Sequence, residues 1–230
     1  MKCIRVSYLS RRSFTPATSP PPYCEGVTGR IVVLISGSGS NMEALADACL
    51  DGRVPGAIVA VVADRECIGL KLAEQRELDH LLVRPKNYES RDAWNEVLRD
   101  EVASREPDIV VSAGFMRILA PIFVDAFEGK LINLHPSLLP AFKGAHAVRD
   151  ALEFGVKVTG STVHFVDNDV DHGPIIMQKP TPVRDDDTEE TLHERIKALE
   201  HRLLPEVCTL LLEGRVELVD RRVRIKPRER

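Results

Sequence analysis

The 230-residue sequence predicts an α/β fold, with a doubly wound, mostly parallel sheet, helices on both faces and antiparallel strands in the C-terminal half. Three observations predict it. Short apolar runs that do not alternate, of which Ala57-Ile58-Val59-Ala60-Val61-Val62-Ala63 is the densest, mark parallel strands covered on both faces. Helix-compatible stretches alternate with these runs across short connections, the rhythm of repeated βα units. From Val158 the rhythm changes: Thr162, His164 and Val166 alternate with Val163, Phe165 and Asp167, as on a half-exposed antiparallel strand.

In chain order, residues 30–36 read as a buried strand, 37–40 as a turn, and 41–50 as a helix stopped by Gly52. Residues 57–64 form the second strand and 68–75 the next helix. A short strand at 81–83 precedes a polar helix over 90–104. Strands follow at 108–113 and 131–134, and 173–178 is the neighbour of the strand that starts at Val158. Asp187, with Glu190 three residues on, reads as an acidic capping box opening a long helix to about Leu212. Residues 30–220 are therefore expected to form one domain, with a phosphate-binding half near 30–130 and a catalytic half near 131–220.

Composition narrows the function. Apolar residues at 43% and charged ones at 29% exclude global disorder. The net charge of −4 argues against a nucleic-acid binder that works by bulk positive charge. No apolar run approaches the roughly 18 residues of a membrane helix. Five cysteines, odd in number and without C-x-x-C spacing, point away from a disulfide framework and toward a reducing compartment. Each reads as a small buried apolar residue. Residues 1–29 carry Lys2, Arg5, Arg11 and Arg12 against Glu25 alone and lack an apolar h-region, so no secretory signal is expected. The leader reads as a disordered extension of a cytoplasmic protein, with an organelle transit peptide as the alternative. The end, 221–230, holds six basic residues against Glu229 without interleaved aromatics and reads as a solvated tail. The chain is expected to be a monomer or a homodimer.

Three constellations could carry chemistry. The turn Ser36-Gly37-Ser38-Gly39-Ser40-Asn41 leads from a strand into a helix start, where unpaired N–H groups and the helix dipole favour an anion. Met42 stands where a dinucleotide fingerprint needs glycine, and no G-K-[ST] follows, so a single phosphate fits best. A plain tight turn is the alternative. In Asn133-Leu134-His135-Pro136, Asn133 and His135 point the same way from the end of a parallel strand. An amide donor beside an imidazole suits oxyanion stabilisation and proton transfer. The acidic turn Asp167-Asn168-Asp169-Val170-Asp171 supplies a carboxylate, and a catalytic imidazole needs one nearby. A two-histidine, one-carboxylate metal set of His135, His146 and Asp171 has no supporting spacing, and no metal is expected. His80, His164, His193 and His201 read as structural or surface residues.

Together these residues resemble the phosphoribosylglycinamide formyltransferases. The match runs in order through Ile35-Ser36-Gly37-Ser38-Gly39-Ser40-Asn41, Ser90-Arg91, Ala113-Gly114-Phe115-Met116-Arg117-Ile118-Leu119, Asn133-Leu134-His135-Pro136-Ser137-Leu138-Leu139-Pro140, Gly144-Ala145-His146, Val163-His164-Phe165-Val166 and Asp171-His172-Gly173-Pro174. The resemblance implies a formyltransferase-like fold and formyl transfer from 10-formyltetrahydrofolate, a co-substrate, to the amine of glycinamide ribonucleotide in purine biosynthesis. It implies that Gly39, Ser40 and Asn41 hold the ribonucleotide phosphate, and that Lys197 and Glu200 contact the same substrate. Arg91, Met116, Arg117, Ile118, Leu119 and the loop Asp167, Asn168, Asp169, Val170 and Asp171 would line the folate pocket, with Asn133 also touching the folate. Asn133, His135 and Asp171 would be catalytic. His172 departs from the family, which has a small residue there. The competing readings are a formyltetrahydrofolate hydrolase, disfavoured by Pro136 where that family has His, and a non-catalytic nucleotide-binding module. A methionyl-tRNA formyltransferase would need a further basic domain that residues 221–230 do not supply.

Overall fold

The computed structural model describes residues 29–228, so the reading of a disordered or transit leader falls, except for Gly29, outside the described residues. The parallel part is built from β1 (Gly29–Ile35), α1 (Ser40–Leu50), β2 (Gly56–Ala63), α2 (Ile68–Gln75), β3 (His80–Leu82), α3 (Arg91–Ala103), β4 (Ile109–Ser112), α4 (Pro121–Val124) and β5 (Leu131–His135). Then come α5 (Ala147–Phe154), the antiparallel strands β6 (Val158–Phe165) and β7 (Ile175–Pro182), and the long α6 (Glu189–Leu212). The strand order is β3-β2-β1-β4-β5-β6-β7, and a separate hairpin, β8 (Val216–Val219) and β9 (Arg222–Ile225), closes the chain. This is the mixed, mostly parallel sheet that the sequence predicts.

The apolar runs do what parallel strands require. Ile31, Val33 and Ile35 of β1 pack beneath Met42 and Leu45 of α1 and Leu203, Leu204 and Val207 of α6. Val32 and Leu34 point the other way, onto Trp94 and Leu98 of α3 and Phe123 of α4. The strand order reverses between β1 and β4, and loops there leave a crevice at the carboxyl ends of the strands.

Four expectations change. Strand β6 is not half-exposed: Thr162, Val163 and His164 are all buried. The loop after β5 folds back over it, with Thr162 Oγ1 donating to the Ser137 carbonyl at 2.7 Å and accepting from Leu139 N–H at 3.1 Å. Helix α6 is capped by Thr188, whose hydroxyl accepts from Thr191 N–H at 3.2 Å in a reciprocal box. Asp187 is drawn away to Arg195, 2.6 Å from it. Helix α5 has no counterpart in the sequence reading; it buries Ala147, Val148 and Ala151. Finally, residues 222–225 of the expected tail are strand β9, which pairs with β8.

Gly160 faces Pro180 where β6 and β7 cross most closely, and a Cβ there would lie 2.1 Å from the Lys179 carbonyl oxygen. Gly160→Ala should therefore destabilise the fold by about 1–3 kcal/mol, an overpacking cost. Chemical denaturation with an unchanged midpoint would refute this close approach.

Candidate active site

The crevice is assembled from the carboxyl ends of β1, β4 and β5. At the end of β1 the chain turns through Gly37 and Ser38 into α1, and Gly39 takes φ +79°. A side chain at Gly39 would meet Gly69 Cα at 2.6 Å, so glycine is required both by conformation and by space. The first turn of α1 has no side-chain cap at Gly39, which leaves its N–H groups directed at the crevice. Asn41 turns inward. Its Nδ2 donates to Glu200 Oε2 at 2.8 Å, and its Oδ1 is buried without a hydrogen-bond partner.

Glu200 comes from α6, buried to 5% exposure, and also accepts from the Ser161 hydroxyl at 3.3 Å. Burial pushes its carboxyl above the usual range, against the opposing pull of Asn41, Ser161 and Lys197. Lys197 lies one turn earlier and pairs with Glu194 at 3.5 Å. The structure thus joins Gly39, Ser40, Asn41 and Glu200 at one end of the crevice, with Lys197 on the same helix.

The neighbouring wall is the loop after β4. Met116 and Ile118 are 63% and 61% exposed there, while Leu119 packs inward beside the α3 layer. Arg91 at the start of α3 donates to the Ile118 carbonyl, and buried Asn95 accepts from Ala120 N–H at 2.9 Å. Arg117 is partly exposed, and its Nε donates to Asp64 Oδ2 at 2.6 Å. Asp64 was not singled out in the sequence. Its side chain is inaccessible, and although burial alone would raise its carboxyl pKa, Arg65, Arg117 and Ser36 together hold it below the usual range. Ser36 Oγ in turn accepts from Met116 N–H at 2.8 Å. A buried acid at the end of β2 therefore ties the glycine turn after β1 to the exposed apolar loop.

Asn133 and His135 project from β5, two residues apart, toward Asp171 from the β6–β7 connection. Asp171 Oδ2 lies 3.3 Å from His135 Nδ1 and accepts from Gly144 N–H at 2.8 Å; its Oδ1 accepts from Asn133 Nδ2 at 3.4 Å. Asp171 takes φ +48°, and Gly173 passes so close beneath Phe165 that a Cβ would lie 1.8 Å from its carbonyl oxygen. The rest of the loop spreads outward, with Asn168, Asp169 and Val170 exposed and Asp167 half-buried.

His164 is a further member that the sequence reading left among structural histidines. It is buried opposite Asn133 in the β5–β6 register. Its Nδ1–H donates to the Phe165 carbonyl at 2.7 Å, so Nε2 accepts, and Asn133 Nδ2 donates to it at 3.2 Å. That bond fixes which end of the Asn133 amide faces the site. The pairing of β5 with β6 that brings His164 there is not marked in the local sequence. His146 instead lies exposed at the start of α5, and no group of three metal-ligand side chains occurs among the described residues.

His135 stands between two demands. Its Nε2–H donates to the Phe142 carbonyl at 2.8 Å, so a proton on Nδ1 as well would give both nitrogens an acceptor. Burial opposes that charge and wins, holding the imidazole below the usual histidine range despite Asp171 and Phe142. Asp171 remains below the usual carboxylate range: burial raises it, but His164, Gly144 and His135 more than compensate. The site therefore rests as a neutral imidazole against a carboxylate, with a place waiting for one proton.

Residues 29–208 match the formyl transferase family model. The chain is 49% identical over 206 residues to the phosphoribosylglycinamide formyltransferase of Mycobacterium tuberculosis, an alignment covering 90% of this chain and 94% of that one. The crystal structure of glycinamide ribonucleotide transformylase 1 from Symbiobacterium toebii superposes with a TM-score of 0.86 at 46% identity, covering 88% of this chain and 96% of that one. A formyltetrahydrofolate deformylase from Pseudomonas syringae shares the fold at 25% identity and TM-score 0.80, over 88% of this chain and 67% of its own. By the extent and level of these matches, the chain belongs to the phosphoribosylglycinamide formyltransferases of the formyl transferase family.

Proposed function

We propose that this site moves the formyl group of 10-formyltetrahydrofolate directly onto the amine of glycinamide ribonucleotide, a step of purine biosynthesis, with no covalent enzyme intermediate. The observation that carries the reading is the convergence of Asn133, His135 and Asp171, each within 3.4 Å of another, between a phosphate turn and an apolar loop. The ribonucleotide phosphate rests on the N–H groups at Gly39, Ser40 and Asn41, and Glu200 accepts from its ribose hydroxyls, with Lys197 alongside. The folate lies between Met116, Ile118 and Leu119 on one side and the loop from Asp167 to Asp171 on the other. Arg91 and Arg117 hold that first wall in shape. Holding both substrates side by side lowers the entropic barrier by up to about 7–11 kcal/mol.

The neutral amine attacks the formyl carbon and charge gathers on the formyl oxygen. One Asn133 N–H is committed to His164; the other makes only the long contact to Asp171 and is free to turn to the oxyanion. The Nε2–H of His135, bonded to the Phe142 carbonyl in this structure, is the second donor once a substrate oxygen takes that carbonyl's place. The attacking nitrogen must lose a proton and the folate nitrogen must gain one before the C–N bond to folate breaks. Asp171, supporting a protonated His135, relays that proton through water.

The same fold in a deformylase makes hydrolysis the second reading, with water as the attacking group. Asn41 and Glu200 at the phosphate turn favour the amine substrate, since hydrolysis needs no ribonucleotide site. Incubating the protein with 10-formyltetrahydrofolate, with and without glycinamide ribonucleotide, separates the two: deformylation independent of the nucleotide would overturn transfer.

Asp171→Asn should leave the fold intact and lower formyl transfer by about 10²–10⁴, the range of a positioned acid–base group; steady-state rates at wild-type level would remove Asp171 from the mechanism. Asn133→Ala should cost about 2.7–4 kcal/mol in kcat, as loss of an oxyanion donor does. NMR titration should find His135 below the usual histidine range and lower still in Asp171→Asn, because the carboxylate favours the imidazolium; a rise would contradict the electrostatics. Glu200 has a raised carboxyl pKa, so its contribution to stability is full below its ordinary value and lost as pH climbs through the folded one. Glu200→Gln should therefore melt no lower than wild type at pH 7, yet raise the KM for glycinamide ribonucleotide; an unchanged KM would discredit the ribose contact.

A further inference from the structure

The terminal hairpin lies beyond the stretch that matches the family model, yet it reaches back to the site. Its β9 packs against β7, and its turn at Asp220 and Arg221 comes against the loop that carries Asp171. Arg221 Nη2 donates to the carbonyl of His172, the residue directly after Asp171. Arg221 Nη1 lies 3.8 Å from Asp167 Oδ2, an oxygen also met by His172 Nδ1 at 2.9 Å. Asp167 Oδ1 accepts from Asp169 N–H at 3.2 Å, so the same carboxylate binds the loop to itself. The near half of the loop has a separate anchor, Asn168 Nδ2 donating to Asp125 at 3.2 Å. A cleft of about 590 Å³ separates this loop from the hairpin, with Asp171 and Gly173 on one wall and Arg221 and Val223 on the other.

We propose that Arg221 is a positioning residue: it clasps the far half of the loop to the hairpin and so holds the shape in which that loop receives the folate. The His172 ring adds to the clasp from within the loop, its Nδ1 lying 2.9 Å from the same Asp167 carboxylate. Arg221 touches no reacting atom, and its effect passes through the loop backbone. This inference rests on the reading of residues 167–171 as the folate loop.

The test uses the full chain. Arg221→Ala should speed hydrogen exchange of the amides from Asp167 to Gly173 and raise the KM for 10-formyltetrahydrofolate about two- to fivefold, the scale of an exposed charged contact. The KM for glycinamide ribonucleotide should stay at the wild-type value, which a general loosening of the fold would not allow. Arg221→Lys, which keeps the charge and a donor, should recover most of the loss. Arg224→Ala removes a charge from the same hairpin without touching the loop and should change neither reading. Exchange at wild-type rate in Arg221→Ala, faster exchange with an unchanged folate KM, or an equal effect from Arg224→Ala would each overturn the clasp. Should wild-type protein transfer no formyl group while Arg221→Ala still frees the loop, the functional reading falls and the clasp stands.

Discussion

Asp171 enters a largely buried site bearing a charge, and the chain around it is arranged to make that tolerable. Its oxygens meet the Gly144 N–H, the Asn133 amide and the His135 imidazole, with His164 behind. A lone carboxylate in such surroundings would take up a proton. These partners keep it ionised, and in doing so they fix everything else near the chemistry. The loop after β5 is held by Gly144, the β6–β7 connection by the left-handed turn at Asp171 and the tight passage at Gly173, and the Asn133 amide by His164.

The same accounting explains the contrast between the two acids of the crevice. Glu200 is more deeply buried and has only neutral hydrogen-bond partners, Asn41 and Ser161, with Lys197 at a distance, so its carboxyl is raised. Asp171 accepts from the Gly144 N–H and the Asn133 amide, lies beside the His135 and His164 rings, and stays low. The two carboxyls are thus driven apart by their surroundings, Glu200 upward by burial and Asp171 downward by its partners.

Much of this was legible in the residues. Parallel strands bury both faces, so β1 and β2 announce themselves as unbroken apolar runs, and the glycine turn at Gly37 and Gly39 follows from the need to start a helix at once. Asn133, His135 and Asp171 could be picked out by chemical type. What stayed hidden depends on distant pairing. Thr162 and His164 alternate with apolar residues as an exposed face would, and only the folded-back loop and the β5 register turn them inward. Asp64 looks like an ordinary strand end until Arg117, fifty-three residues away, is seen to close over it. The cap of α6 slipped by one residue because Asp187 is claimed by Arg195, one position's difference that local pattern does not decide.

That last class of contact also shows how the fold divides its labour. In the parallel half, Asp64, Arg117, Ser36 and the Met116 N–H join the glycine turn after β1 to the exposed apolar loop after β4. Asp171 is carried elsewhere, on a connection between antiparallel strands whose Asn168, Asp169 and Val170 face solvent. That connection is tied to the rest of the fold by Asn168 on Asp125 and by Arg221 of the terminal hairpin on the His172 carbonyl, so its shape depends on a residue fifty positions further along the chain.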